Sequence, residues 1–379
     1  SYRAEGGRHF KFFCQAVHVY WELPQKFHDD WQEVALLAIR LCDRYGLDTT
    51  VMQPMITWLS CCYQEGILRD ENTDLPMSRI GSAEFIEELT RKIALREGFG
   101  DLLAQGTIEA AAQVGSEAQQ LLSVSVLTSA NETRDYDPRL VLTNAILYAT
   151  EQRRPINQVH ELTHALWMWL NWTQRLADAF LSFDDFRGVA EKFWGGAAAA
   201  DFSTYEGKAL AAKKIQDRAY AKESLILCDF LWPIIWVRFA DNHVGDPTME
   251  SQVLSAITGK EVDEAGLNRI GERIYNLQRA ILLRQGWGGR DGDQLLSYLH
   301  EEPLQDVFFN PDCLVPGKGG EIVSRKGAII DRTDFELLKT EYYELRGWEA
   351  SSGLPTENKL IDLRLGDVAD DLKQRDLLG

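Results

Sequence analysis

Two imidazoles one helical turn apart, with a carboxylate between them, are the most chemically suggestive short feature of this chain. His160-Glu161-Leu162-Thr163-His164 is an H-E-x-x-H run. On a helix it sets both rings on one face, where they can hold zinc while the glutamate activates a bound water. The flanking Ala165, Leu166 and Trp167 suit a helix. A third ligand would have to come from Asp178, Asp184 or Glu191, none of which has a distinctive setting. The plainer reading is a tryptophan-rich packing helix that carries these five residues for structural reasons.

A second constellation is Asp43-Arg44-Tyr45-Gly46-Leu47-Asp48-Thr49. Here a helix ends at a glycine and two carboxylates flank the resulting turn. Paired acceptors beside exposed backbone groups could grip a heterocycle that carries ring N–H and amino donors. The same residues also read as a C-cap followed by the Asp-Thr cap of the next helix. The cysteines form no complete metal set. Cys61 and Cys62 are adjacent, so on a helix their side chains diverge by about 100° and behave as small hydrophobes. Cys14, Cys42, Cys228 and Cys313 are scattered. Tyr136-Asp137-Pro138-Arg139 reads as a turn into a helix, and Arg153-Arg154-Pro155 as a helix break able to meet an anion.

Composition limits the partners. With 40 basic and 58 acidic residues the chain carries a formal charge of −18. That argues against nucleic acid or an anionic membrane surface, whose affinity depends on neutralising phosphates. No apolar run reaches the roughly 18–20 residues of a membrane span. The richest stretch, Leu225 to Val237, is too short and contains Asp229 and Pro233. Six cysteines in 379 residues are too sparse for a disulfide scaffold, which points to a reducing cytoplasm.

Helical periodicity runs along nearly the whole chain and predicts a mostly-α fold. Helices are expected from Asp29–Trp31 to Tyr45, over Thr50–Glu65, after Ser82, over Asp101–Val114, Leu140–Thr150 and Asn157–Asn171. Further helices are expected over Thr204–Phe239, Asp263–Gly286 and Asp334–Arg346. Ser123–Leu127 and Glu321–Val323 are the only expected strands, the latter inside a Gly- and Pro-rich loop or ribbon over 310–327.

Taken in order, several segments resemble the carboxy-terminal helical domains of the aldehyde ferredoxin oxidoreductase family, the tungsten-pterin enzymes. They are Leu41 to Thr49, Lys92 to Gly106, Tyr136 to Arg139, Leu147 to Thr150, Ile270 to Leu277 and Tyr342 to Trp348. The resemblance implies two helical domains, 1–125 like domain 2 and 126–379 like domain 3. The family's amino-terminal β domain is then expected to lie outside this stretch, which would be about the last three-fifths of such an enzyme.

The resemblance also implies a site. The family's pterin-gripping D-x-x-G-L-D/C is complete as Asp43, Gly46, Leu47 and Asp48. Its second copy looks like Glu223-Ser224-Leu225-Ile226-Leu227-Cys228, with Glu223 and Ile226 in place of Asp and Gly. Cys228 would then ligate a [4Fe–4S] cluster whose other three cysteines are expected upstream in a C-x-x-C-x-x-x-C run. Glu5-Gly6 followed by Cys14 is similar to class II benzoyl-CoA reductases, where the cysteine is a tungsten ligand. The family's histidine near the metal aligns with Asn157, and His160 is the nearest imidazole able to transfer protons.

The activity so implied is two-electron interconversion of aldehyde and carboxylate on a tungsten (or molybdenum) bis-pyranopterin. Electrons would pass to ferredoxin or an iron–sulfur subunit, in a homo- or hetero-oligomer. Its rivals are reduction of an aryl-CoA thioester, with an acyl-CoA as substrate, and zinc hydrolysis by His160, Glu161 and His164. A further rival is a helical subunit without catalysis.

Overall fold

The computed structural model describes residues 2–3, 9–10, 31–124, 136–151, 155–228 and 235–379. Glu5, Gly6, Cys14, Arg153 and Arg154 therefore lie outside the described residues. The chain divides into two compact units, Ser1–Arg134 and Asp135–Gly379. Both are helical, with two short antiparallel ribbons as the only strand pairs among the described residues.

In the first unit a two-residue ribbon, β1 (Tyr2–Arg3) with β2 (His9–Phe10), precedes the helices. Helix α1 (Trp31–Tyr45) buries Ala35, Ala38, Ile39, Leu41 and Cys42. Helix α2 (Thr49–Gln64) starts at the Asp48 cap and buries Trp58, whose Nε1 donates to Ala118 O at 2.9 Å. The Ser82 hydroxyl accepts the Phe85 N–H and opens α3 (Ala83–Leu95), which presents Phe85, Ile86, Leu89 and Ile93 to the core at helical spacing. Cys62 is buried, and burial together with the neighbouring Cys61 pushes its thiol up to about 12, so it stays an inert hydrophobe. The stretch expected as one helix over Asp101–Val114 is two, α4 (Phe99–Leu103) and α5 (Thr107–Val114), parted at Gly106. A short α6 (Ser116–Gln120) comes next. Ser123 and Val124, expected in a strand, belong instead to a 3₁₀ turn, Leu121–Val124, and 125–127 lie outside the described residues.

The second unit is built around a helix of unusual character. Its elements begin with α7 (Thr143–Ala149), buried at every position, and α8 (Ile156–Thr173). Then come α9 (Phe183–Val189), which runs on into a π turn at Ala190–Trp194, and α10 (Lys208–Ser224). The helix expected over Thr204–Phe239 is thus shorter. Among the described residues beyond it, 235–248 form turns, with Trp236 bridged to Val244. Helices α11 (Met249–Thr258) and α12 (Glu264–Arg284, capped by Asp263) come after it. A ribbon of β3 (Leu314–Pro316) and β4 (Ile322–Ser324), paired antiparallel with Val315 opposite Val323, realises the expected strand. Helix α13 (Arg332–Arg346) and two short helices, α14 (Glu357–Asp362) and α15 (Gly366–Lys373), close the chain.

Helix α10 buries Lys208, Gln216, Asp217, Arg218 and Lys222, and α12 and α13 both pack on it. The α12 contact is close because Gly271 lies against the Asp217 carbonyl. A Cβ at that position would stand 1.7 Å from the Asp217 O. Gly271→Ala must push the two helices apart, so it should cost about 3 kcal/mol, the upper end of overpacking effects. Urea unfolding of the variant measures this; an unchanged midpoint would show that the helices do not pack as described.

Candidate functional site

The Asp43 turn has the geometry that its residues predict. Helix α1 ends with Gly46 at φ +69, and the Leu47 N–H reaches back to Cys42 O at 2.9 Å. Asp48 Oδ1 accepts the Thr50 N–H at 2.9 Å and the Thr50 hydroxyl at 2.7 Å. Asp43, Gly46 and Asp48 are exposed, and a Cβ at Gly46 would meet nothing within 4 Å. The capping role is therefore realised and leaves the turn open: one Asp48 oxygen starts a helix, while the backbone beside Gly46 is unobstructed.

The second copy folds the same way. At the end of α10 the Leu227 N–H reaches back to Lys222 O at 3.0 Å, and the Ile226 N–H meets Glu223 O at 3.0 Å. Ile226 occupies the glycine position at φ +58 with 92% of its surface exposed. A β-branched residue in the left-handed region is strained. Glu223 is turned aside, its Oε1 accepting from Asn157 Nδ2 at 2.8 Å. Leu227 is half-buried, and the Cys228 thiol is exposed. The residues at this end suit a thiolate ligand better than a second ring-binding carboxylate.

Helix α8 brings Asn157 and His160 onto one face, a turn apart. Tyr136 Oη lies 3.3 Å from His160 Nδ1. Farther along the same face the His164 ring stands 5.0 Å from that of His160, stacks on Trp167 at 5.5 Å, and meets the edge of Trp236 at 5.0 Å. Burial holds the His164 imidazole below its ordinary range, which keeps it neutral.

Glu161 points elsewhere. It is buried, accepts Trp194 Nε1 at 2.8 Å, and pairs with Arg218. Burial works to raise this carboxyl, but the Arg218 and Lys222 cations outweigh it and hold the group ionised below the usual carboxylate range. The zinc reading is corrected by this geometry. Glu161 is committed to an ion pair and cannot serve as a water-activating base. Among the described residues no group of three or more His, Cys, Asp and Glu could hold a metal ion.

One residue carries no signal in the sequence. Glu151, buried just before α8, accepts Gln158 Nε2 at 2.7 Å, Tyr220 Oη at 2.9 Å and Gln278 Nε2 at 2.9 Å. Its donors are neutral, so burial dominates and pushes it up to about 7, with the charge of Glu223 adding to the rise. No pattern marks such a residue, because burial of a lone carboxylate is decided by tertiary contacts.

Residues 25–365 match the family model described as aldehyde ferredoxin oxidoreductase, domains 2 and 3. The chain belongs to the aldehyde ferredoxin oxidoreductase family. It is 26% identical over 331 residues to the tungsten-containing aldehyde ferredoxin oxidoreductase of Pyrococcus furiosus, a match covering 87% of this chain and 45% of that protein. It is 24% identical over 337 residues to the aliphatic sulfonate oxidoreductase WOR-like subunit of the same organism, covering 88% and 43%. The chain thus spans under half the length of these curated relatives. In fold it is similar to the active-site complex BamBC of benzoyl coenzyme A reductase with 1,5-dienoyl-CoA. That similarity has a TM-score of 0.58 at 21% identity and covers 99% of this chain and 52% of that one. Among the described residues no helix is long and apolar enough to cross a membrane.

Two measurements probe the second turn and the buried acid beside it directly. Ile226→Gly relieves the left-handed strain and should raise unfolding free energy by about 1 kcal/mol in urea titrations. A destabilised variant would mean that the turn is not strained. Glu151 binds its proton more tightly folded than unfolded, so its contribution favours the folded state at low pH and is lost as pH rises from about 4.5 through 7. Glu151→Gln should remove that slope, by up to about 3 kcal/mol between those limits. Equal pH slopes for the two proteins would contradict a neutral buried Glu151.

Proposed function

We propose that this chain is the carboxy-terminal part of an oxidoreductase that interconverts aldehydes and carboxylates. The cofactors would be a tungsten (or molybdenum) bis-pyranopterin and a [4Fe–4S] cluster, the latter completed by cysteines outside this chain. The observation that carries the reading is the family match over residues 25–365, which includes the complete Asp43, Gly46, Leu47, Asp48 turn. When bound, the pterin-held metal supplies the two-electron chemistry.

The chain's own residues then divide the remaining work. Asp43 and Asp48 would accept hydrogen bonds from pterin ring N–H and amino donors, and the open backbone at Gly46 and Leu47 would admit the ring. Glu223 and Leu227 shape the second copy of the turn, and Cys228 offers its exposed thiol to the cluster. Oxidation of an aldehyde with water releases protons along with two electrons, and His160, oriented by Tyr136, receives or returns one of them. The electrons leave singly to ferredoxin or an iron–sulfur subunit. With a net charge of −18, docking to an acidic carrier requires a local basic patch. The two compact units are taken as the domain 2-like and domain 3-like parts.

A second reading is favoured by the aromatic face of α8. The neutral His164 ring, Trp167 and Trp236 form flat walls beside His160, suited to a planar ring. An aryl-CoA thioester would be reduced there, with Cys14 as an added metal ligand. Cys14→Ala should then lose metal and turnover of aryl-CoA; retained activity on simple aldehydes with unchanged metal would remove this reading.

For the leading proposal, the full-length protein purified without oxygen should contain about one tungsten or molybdenum atom per chain, by the stoichiometry of such cofactors. Cys228→Ser should lower iron content and visible absorbance while leaving the fold intact. Protein free of both metals would sink the proposal.

A further inference from the structure

We infer that Arg218 is a positioning residue for His160, acting through Glu161 and the register of α8 against α10. This rests on the reading of His160 as the proton carrier. Helix α8 is pinned to α10 at two points one turn apart. At the first, Asn157 Nδ2 donates to Glu223 Oε1 at 2.8 Å. At the second, the Arg218 guanidinium holds Glu161, which Trp194 Nε1 also meets at 2.8 Å. His160 lies between these points, next in sequence to Glu161.

The outer pin is weak, because Glu223 is exposed to water and Asn157 only half-buried. The inner pin is buried. Arg218 reaches the Phe193 carbonyl at 3.5 Å with its second amino group, and its guanidinium carbon sits 5.0 Å from the Phe193 ring centroid. A planar fork can hold the carboxylate, the carbonyl and the ring together, and a lysine cannot. Glu250 on α11 adds a second reason for the cation. It is buried, both its carboxylate oxygens are without a hydrogen bond among the described residues, and Arg218 and Lys222 are the positive groups beside it.

The rotational setting of α8 is what this pin controls. An imidazole about 6 Å from a helix axis moves about 1.5 Å when the helix rolls by about 15°. A displacement of that size is enough to cost on the order of 10²-fold in a reaction that depends on orientation. Against His160 stand the Tyr136 hydroxyl, from before α7, and the His164 ring on its own helix, while Glu161 turns to Arg218 and Glu223 holds Asn157 one turn away.

The test uses the chain labelled with ¹³C-histidine, the His160 signal being assigned by its loss in His160→Gln. Arg218→Met alone leaves Glu161 buried and unpaired, so it is studied together with Glu161→Gln, which removes both charges at similar volume. This double variant should still fold, because Lys222 remains as the cation beside Glu250. Its His160 titration midpoint should move by about half a unit or more, with loss of the Tyr136–His160 ring contact. Arg218→Lys should recover part of the shift. In the metal-loaded full-length enzyme the double variant should lose at least about tenfold in kcat with KM nearly unchanged.

A folded double variant with the midpoint and the ring contact of the parent overturns the inference. Should the double variant not fold, a folded Arg218→Lys with an unmoved midpoint and contact overturns it equally. The histidine signals need no metal, so a failure of the proposed cofactor chemistry leaves this readout standing and is recognised separately by metal analysis.

Discussion

Helix α10 can exist only if its buried polar groups are satisfied. It places Lys208, Gln216, Asp217, Arg218 and Lys222 in the interior of the second unit, where an unpaired charge costs several kcal/mol. Each demand fixes a neighbour. Asp217 and Gln216 hold the fully buried Arg346 of α13, whose Nη2 donates to Gln216 Oε1 at 2.8 Å and whose Nε meets Tyr342 Oη at 3.0 Å. Arg218 holds Glu161 of α8. Lys208 donates to the carbonyls of Ala198 and Glu206 at 3.1 and 3.0 Å, and burial lowers its ammonium to about 8. Hydrophobic packing alone would let these helices slide. A set of directional partners on one helix does not.

This constraint reaches the candidate site because α10 ends in it. The helix terminates at the Glu223–Cys228 turn, and its neighbour α8 carries Asn157 and His160. The same polar interior that orders the core thus orders the face of α8 that carries Asn157 and His160. Glu151 belongs to this system too. Its donors come from α8, α10 and α12, so a single buried carboxyl ties three helices together. Buried ion pairs are poor sources of net stability compared with apolar packing, and register is the better reason to keep them here.

Much of the fold is legible in the sequence because caps and glycines announce themselves. Gly46, Ser82, Asp263 and the Asn310–Gly327 ribbon stand where composition and periodicity place them. Helix α7 is shorter than its apolar run suggests, because every residue in it is buried and no amphipathic edge marks its ends. Helix α10 stops well before Phe239, and its polar residues resemble a solvated face although they point inward. At the site, H-E-x-x-H is the most specific pattern and the least informative one, since chain-local spacing cannot show that Glu161 turns to Arg218. One of the resembling segments, Lys92 to Gly106, also serves packing: a Cβ at Gly100 would stand 2.4 Å from the Lys92 backbone.

The two D-x-x-G-L-D/C turns give the sharpest separation of backbone from side chain. Both reverse the chain with the same closure, Leu47 N–H to Cys42 O in the first and Leu227 N–H to Lys222 O in the second, with Gly46 at φ +69 and Ile226 at φ +58. In the first, the side chains agree with the backbone, and carboxylates and open peptide face outward together. In the second, the carboxylate is spent on Asn157 and a strained isoleucine holds the glycine position. The strained turn delivers two residues, Leu227 and Cys228, to opposite environments. Leu227 packs, and Cys228 presents its thiol to solvent. Under the proposed function, the second turn therefore acts as the mount of a cluster ligand, and the recognition of the pterin rests mainly on the first.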